Sequence, residues 1–306
     1  MVVQDIPDPD ALDWAEKSLV AASKGDHDEA GELADRASDA GSLLGIALST
    51  YLRTSHHQDV YDQPTAFEAF IAGGGNVDLY QRTSATLATG YPGIGSLLDI
   101  GCGNGLALVP ALQQSVAAPG GTAPSMIDLV EPGADLLQHA LAAIAGTGLP
   151  VTTTAWQVGL TDFLRSAPPG QRWQLAQSTF ALQSIEPQER LAALTVLSTR
   201  VDRLLIVDFD VADEKPRSRA HISGLATRYE RGLAEYDDDV RVLVAQGFLM
   251  PVLLGQLDPD GVRTNWEHTA DQWREQAQEA GFRDVQVLPL ADYWSAPAFV
   301  LGASGR

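Results

Sequence analysis

The feature that most constrains this chain is a short apolar run, Leu97-Leu98-Asp99-Ile100, that stops at Gly101-Cys102-Gly103-Asn104-Gly105. Helical spacing of apolar residues resumes at Leu106. A strand that enters a glycine turn and then a helix aims the first backbone N–H groups of that helix at the strand's end. Glycines are needed there because the turn is tight and a Cβ would collide with an approaching ligand. A strand leading into a crossover helix also calls for further parallel strands. The residues after the turn supply them. Strand-like runs at 125–131, 151–158, 173–178 and 204–209 alternate with helical runs at 106–114, 134–145 and 187–200. In the run 134–145, Leu136, Leu137, Ala140, Leu141 and Ile144 share one face, and Gly146, Gly148 and Pro150 end it. Two last strands are predicted at 285–288 and 298–302. The expected class is α/β, a doubly wound sheet with helices on both faces.

The first 75 residues read differently and predict a helical N-terminal cap. Apolar residues recur at helical spacing over 9–22, 28–37 and 40–52, with Asp8 and Asp26 as cap residues. Residues 59–64 read as a connection and 65–71 as a short helix, which Gly73-Gly74-Gly75-Asn76 interrupts before 77–87 resumes. That turn reads equally as a simple break or as a ligand-facing loop. The second domain spans 76–306, with an insertion at about 211–268 that is predicted helical over 217–235 and 239–247 and ambiguous over 248–256. Thr269 and Gln272 form a predicted capping box for a helix over 270–280, which Gly281 closes.

Charge narrows the partners. Forty acidic residues against 20 basic ones leave a net charge of −20, which repels nucleic-acid phosphates and anionic lipid. No run of about 18 apolar residues and no signal-like start are read, so no membrane span is expected and the cytoplasm is the expected location. The single cysteine, Cys102, precludes an internal disulfide and reads as small filler in its glycine turn. A small-molecule substrate is expected, and a homodimer is left open.

Three details sharpen the glycine turn. A dinucleotide fingerprint would need glycine at 106, where Leu106 stands. Asp99 suits a ligand carrying an ammonium or sulfonium group and would repel a pyrophosphate. The next strand, Met126–Val130, ends in Glu131, an acid placed to take both hydroxyls of a ribose. Asp99, Gly101, Gly103, Gly105 and Glu131 together resemble the class I S-adenosylmethionine-dependent methyltransferase family, from about Tyr80 to the C-terminus.

The resemblance implies a seven-stranded Rossmann-like sheet with its last strand antiparallel, and S-adenosylmethionine as cofactor. It implies that Gly101, Cys102, Gly103 and Asn104 lie against the cofactor, and that Glu131, followed by Pro132, holds the ribose. Gln157 and Val158 would meet the adenine, with Asp162 competing for its amine. Gln177 and Ser178 would face cofactor and substrate, and Tyr80 the methionine part. The chain departs from the family pattern at a long loop over 117–124, at Pro110 in the helix after the glycines, and at Gln177-Ser178-Thr179-Phe180. That last stretch replaces the Asn/Asp-Pro-Pro-aromatic signature of many nucleic-acid and protein methylases.

Methyl transfer asks the enzyme to align a nucleophile and to remove a proton where one is lost. His221, Glu267, His268 and Tyr229 are the catalytic candidates, and Tyr236 is a further pocket liner. His27, His139, His56 and His57 read as solvated. A divalent metal on a His/Glu set would suit a 2-oxo acid acceptor and is left open, since the spacing alone does not demonstrate a metal site. The expected function is methyl transfer to a small molecule such as a 2-oxo acid or a secondary metabolite. Two alternatives are a cyclising or eliminating enzyme on the same fold and a non-catalytic cofactor-binding subunit.

Overall fold

A computed structural model describes residues 9–54, 64–258 and 261–306. Asp8, His56, His57 and most of the 59–64 connection lie outside them. The chain divides into two compact units, one from Met1–Val77, Asp213–Arg263 and Tyr293–Ser295, the other from Asp78–Ala212, Thr264–Asp292 and Ala296–Arg306.

The second unit holds a seven-stranded sheet built from β1 (Ser96–Ile100), β2 (Met126–Val130), β3 (Thr152–Trp156), β4 (Trp173–Thr179), β5 (Val201–Phe209), β6 (Arg283–Ala291) and β7 (Ala298–Ser304). The strand order is β3-β2-β1-β4-β5-β7-β6. All pairs from β3 through to β5 are parallel, while β7 runs antiparallel to both β5 and β6. The helices packed on this sheet are α5 (Asn76–Gly90), α6 (Leu108–Ala117), α7 (Ala134–Gly146), α8 (Leu160–Ser166), α9 (Pro187–Ser198) and α13 (Ala270–Glu279).

Successive side chains of β1 serve opposite faces, as strand geometry requires. Leu97 packs in a cluster with Leu87 of α5, Leu108 and Leu112 of α6 and Leu137 of α7. Leu98 packs in a second cluster with Phe163 of α8, Leu194 of α9 and Trp273 of α13. Both leucines are fully buried, and each such side chain contributes roughly 1.5–3 kcal/mol. Their burial on two faces explains why β1 reads as a continuous apolar run. Helix α6 starts at Leu108, two residues later than the periodicity predicts, which puts Pro110 in the first turn, where its missing N–H costs nothing. The predicted capping box of α13 is present on both sides: Gln272 N–H donates to Thr269 Oγ1 and Thr269 N–H to Gln272 Oε1.

The first unit is helical. It contains α1 (Pro9–Ala22), α2 (His27–Asp39), α3 (Leu43–Thr54), α4 (Pro64–Ala72), α10 (Arg219–Ala234), α11 (Asp238–Val244) and α12 (Met250–Leu257). Asp26 caps α2 by accepting from Glu29 N–H. Glu230 on α10 caps α3, accepting from Ser42 Oγ at 2.7 Å and from the N–H groups of Leu43 and Leu44 at 2.9 and 2.8 Å. A carboxylate there satisfies orphan donors and the positive end of the helix dipole.

The glycine turn before α5 is a packed corner. Gly74 takes φ +53, and a Cβ there would meet the Tyr236 ring at 2.9 Å. Gly75 N–H donates to Glu235 Oε2, and Asn76 donates to the Phe70 carbonyl and accepts from Tyr293 Oη. Tyr236, expected as a pocket liner, is buried and donates to the Phe70 carbonyl.

Residues 248–256, ambiguous in sequence, are helical. A π-helical turn over Ala245–Leu249 joins α11 to α12, so the run Asp238–Leu257 is continuous and meets the length and apolarity of a membrane span. Core helices meet the same measure, so this run does not overturn the expectation of no membrane span. Its Val244, Ala245, Leu249, Met250 and Leu253 are buried within the unit.

Candidate active site

The site lies at the carboxyl ends of β1 and β2, where open α/β sheets bind ligands. Ile100 pairs with Val130, so the glycine turn and Glu131 leave the sheet at one level. The N–H groups of Gly101 and Cys102 both point at the Val130 carbonyl, at 2.8 and 3.3 Å. Glu131 is 8% exposed, and its two oxygens are each engaged once. Oε2 accepts from Gly103 N–H at 3.1 Å and Oε1 from Gly133 N–H at 2.8 Å. A carboxylate has about four acceptor directions, so the loops orient this one and leave acceptor capacity on both oxygens.

The three glycines are required for different reasons. All have positive φ, at +67, +53 and +83 for Gly101, Gly103 and Gly105. A Cβ on Gly101 would fall 2.2 Å from the Ala181 Cβ, and one on Gly105 would press on Val109 and on Ala140 of α7. A Cβ on Gly103 would meet nothing within 4 Å. Gly101 and Gly105 are thus held by close protein contacts, and Gly103 faces open space beside the Glu131 carboxylate.

Asp99 is buried and its pKa is pushed up to about 7, first by burial and then by the nearby Glu131 carboxylate, with the Gln177 amide offsetting part of the rise. Tyr91 Oη donates to Gln177 Oε1 at 2.9 Å, and burial followed by Asp99 drives the Tyr91 pKa up. The groups acting on Asp99 are an amide and a second acid. Such a desolvated acid pair is stabilised by a cationic ligand. Beside it, Glu131 retains acceptor capacity for hydroxyls. A nucleoside bearing an ammonium and a sulfonium group satisfies both features, so the residues present fit the cofactor that the resemblance implies.

The other expected residues fall as follows. Cys102 is buried, with its thiol pKa raised by burial and by both acids. Asn104 Oδ1 accepts from Leu106 N–H, and Pro132 is exposed. Gln157 is exposed and Val158 packs against the α8–α9 face. Asp162 is paired with Arg165 at 2.8 Å. Ser178 Oγ donates to the Ile100 carbonyl at 2.9 Å and ties β4 to β1.

Tyr80 on α5 meets Phe180 edge-on at 5.8 Å, and burial lifts its pKa to about 12. Phe180 in turn stacks on Phe209 at 4.7 Å and 19°. Sequence reasoning did not single out Tyr91, Gly133 or Phe209, and it noted Phe180 only within the stretch Gln177-Ser178-Thr179-Phe180. Phe180 has φ +53, a conformation that costs a bulky residue about 1–3 kcal/mol.

The catalytic candidates divide between the units. In the sheet unit, the His268 carbonyl accepts from Val211 N–H at 3.1 Å, just past β5, and its ring lies 5.8 Å from Trp273. Glu267 raises the pKa of the buried Asp208, which burial first and then Glu267 lift to about 7 against the pull of Arg190 and of the Phe209 N–H. Arg190 is fully buried: it donates to Gln276 Oε1 and to the carbonyls of Leu182 and Trp266, and its guanidinium lies 4.1 Å from the Trp273 ring centroid. In the helical unit, His221 Nδ1 accepts from Arg217 N–H at 3.1 Å, and burial, then Arg228, lowers its pKa. Tyr229 is 3% exposed, packed edge-on against Trp294 and hydrogen-bonded to Gln256. His27 and His139 are exposed, as expected. Among the described residues no group of three or more His, Cys, Asp or Glu is gathered to hold a metal.

No protein-family model matches the chain, and no curated protein matches it in sequence. Solved structures do. The chain is similar to the pyocyanin biosynthetic protein PhzM at a TM-score of 0.51 and 15% identity, over 83% of this chain and 64% of that one. It also matches magnesium protoporphyrin IX methyltransferase (ChlM) from Synechocystis PCC 6803 with bound SAH, at 0.49 and 16%, over 80% and 96% of the two chains. A third likeness is to the mitomycin 7-O-methyltransferase MmcR, at 0.48 and 16%, over 90% and 72%. With β7 reversed between β5 and β6 and a glycine turn leaving β1, the chain has the fold of the class I S-adenosylmethionine-dependent methyltransferases.

Proposed function

We propose that this chain is an enzyme that uses S-adenosylmethionine to methylate a small-molecule acceptor. The observation that carries the reading is the open turn at Gly103, flanked by the oriented carboxylate of Glu131 and the buried carboxylate of Asp99. Glu131 would hold the ribose hydroxyls and Asp99 the cationic end of the cofactor. Gly103 gives the cofactor room at the turn, and Asn104 sits at its solvent side. Gln157 and Val158 border the adenine in this reading. When bound, the cofactor supplies an electrophilic methyl group on sulfur.

The chain's own contribution is to orient both reactants, to exclude water and to accept a proton where the acceptor loses one. Glu267 and His268 are the groups we assign to the proton, because the His268 backbone is tied to Val211, just past the end of β5. The charge of −20 supports a small acceptor over a polyanion.

Calorimetric titration with S-adenosylmethionine and S-adenosylhomocysteine tests the reading, and both are expected to bind. S-adenosylhomocysteine should then accumulate only when an acceptor is added. Absence of binding would overturn the proposal, and release of methylthioadenosine without acceptor would move it to an elimination reaction.

A further inference from the structure

A chain of buried polar groups reaches Asp99 from the end of α5. Tyr91 directly follows that helix, and its backbone is fixed on both sides. Its N–H donates to the Ala88 carbonyl at 3.3 Å, and its carbonyl accepts from Ile94 N–H at 2.9 Å. The phenol is fully buried, and burial drives its pKa up, so it stays protonated. Among the described residues it has one hydrogen-bond partner, Oε1 of the fully buried Gln177, at 2.9 Å. A buried phenol must give its proton to an acceptor, so Tyr91 selects the oxygen end of the amide.

The nitrogen end is then left for Asp99. Gln177 and Asp99 are register partners on the neighbouring parallel strands β4 and β1, so their side chains leave the sheet side by side on one face. Gln177 Nε2 is buried and closes no hydrogen bond of normal length among the described residues. The Gln177 amide nevertheless draws the Asp99 pKa down, as an N–H facing a carboxylate does. The ionisable groups around Asp99 are the Glu131 carboxylate, the Cys102 thiol and the Tyr91 and Tyr80 phenols. On α5, Asp78 and Arg82 pair with each other at the surface, and on α7 Asp135 and His139 are exposed. We infer that Tyr91 is a positioning residue, which acts through Gln177 to keep an N–H turned towards Asp99 and so holds that carboxylate ready for the cofactor's cationic end. The inference rests on the methyl-transfer reading. An amide turned the other way would offer Oε1 to Asp99 and favour its protonated form, which no longer attracts a cation.

The test is the pH dependence of S-adenosylmethionine binding between about pH 5.5 and 8.5, read by calorimetry on the full chain. Tyr91→Phe removes the hydroxyl and frees the amide to turn Oε1 towards a protonated Asp99. The rise in affinity with pH should then move up by about one pH unit, the worth of one hydrogen bond. A merely structural role would lower affinity equally at every pH and leave the midpoint in place. Gln177→Met keeps the length but removes both ends of the amide. It should move the midpoint up as well, and adding Tyr91→Phe to it should move it no further. A flat wild-type profile, an unchanged midpoint in Tyr91→Phe or in Gln177→Met, or a further shift in the double variant overturns this inference alone. Failure of wild type to bind S-adenosylmethionine at any of these pH values overturns the methyl-transfer reading and this inference with it.

Discussion

Gly103 N–H donates to Glu131 Oε2 at 3.1 Å, linking the middle glycine of one strand's turn to the acid that ends the neighbouring strand. Glu131 is therefore pre-oriented by the protein itself, and cofactor binding need not fix its rotamers. Glu131→Gln keeps the shape but turns one acceptor oxygen into a donor that faces Gly103 or Gly133 N–H. Cofactor affinity is expected to fall by about tenfold or more, since hydrogen bonds to a charged group are worth about 1.5–3 kcal/mol. Calorimetry with S-adenosylhomocysteine measures it.

Gly101 and Gly103 should respond differently to alanine. Gly101→Ala places a Cβ 2.2 Å from the Ala181 Cβ, in addition to the strain of φ +67. It is expected to lower stability by about 2–4 kcal/mol, as overpacking and backbone strain add. Gly103→Ala has open space and φ +53, so its stability cost is about 1–2 kcal/mol while its methyl projects into the cofactor site. Thermal denaturation and cofactor titration together separate the two: Gly101→Ala loses mainly stability, and Gly103→Ala mainly binding.

The raised pKa of Asp99, about 7, gives a pH dependence with a definite sign. The folded protein keeps the proton that the unfolded chain releases near pH 4, so this residue's contribution to stability falls as pH rises from about 4 to 7 and is level above that. Asp99→Asn should remove this slope and be more stable than wild type above pH 7 in the absence of ligand. A cationic cofactor favours the ionised carboxylate, so wild-type affinity for S-adenosylmethionine should rise as pH passes through 7. In Asp99→Asn that rise should vanish. Titrations between about pH 5.5 and 8.5 check both statements.

Arg190 and Asp208 are both buried, and among the described residues neither Arg190 Nη2 nor Asp208 Oδ2 has a hydrogen-bond partner. Arg190→Met removes the charge that lowers the Asp208 pKa and three hydrogen bonds to Gln276, Leu182 and Trp266. Each buried acceptor left without its donor costs about 1–3 kcal/mol. The double variant Arg190→Met/Asp208→Leu should recover part of that loss. Denaturant unfolding of wild type, both single variants and the double variant measures the coupling directly.

The glycine turn and its acid partner were legible in sequence because they are built from local signals. A buried strand, a glycine turn and a strand-terminal acid each occupy a few consecutive residues, and the structure places Asp99, Gly101, Gly103 and Glu131 together. The contacts beyond it were not. Phe180 and Phe209 are 29 positions apart and meet only because β4 and β5 are neighbours in register. Tyr91 reaches Gln177 across 86 positions, and no periodicity announces such a contact. The Gly73–Asn76 turn read equally as a simple break or a ligand-facing loop, and the Tyr236 ring fills the space a side chain on Gly73 or Gly74 would take.

By itself the sequence determined the alternation of strands and helices, the glycine turn and the acid partner. These follow from period-2 and period-3.6 burial and from φ angles that only glycine takes freely. Tertiary structure decided the orientation of Glu131, the proton affinity of Asp99 and the strained stack at Phe180. Each depends on desolvation or contact between distant residues, and those terms exist only once the sheet has brought the strand ends together.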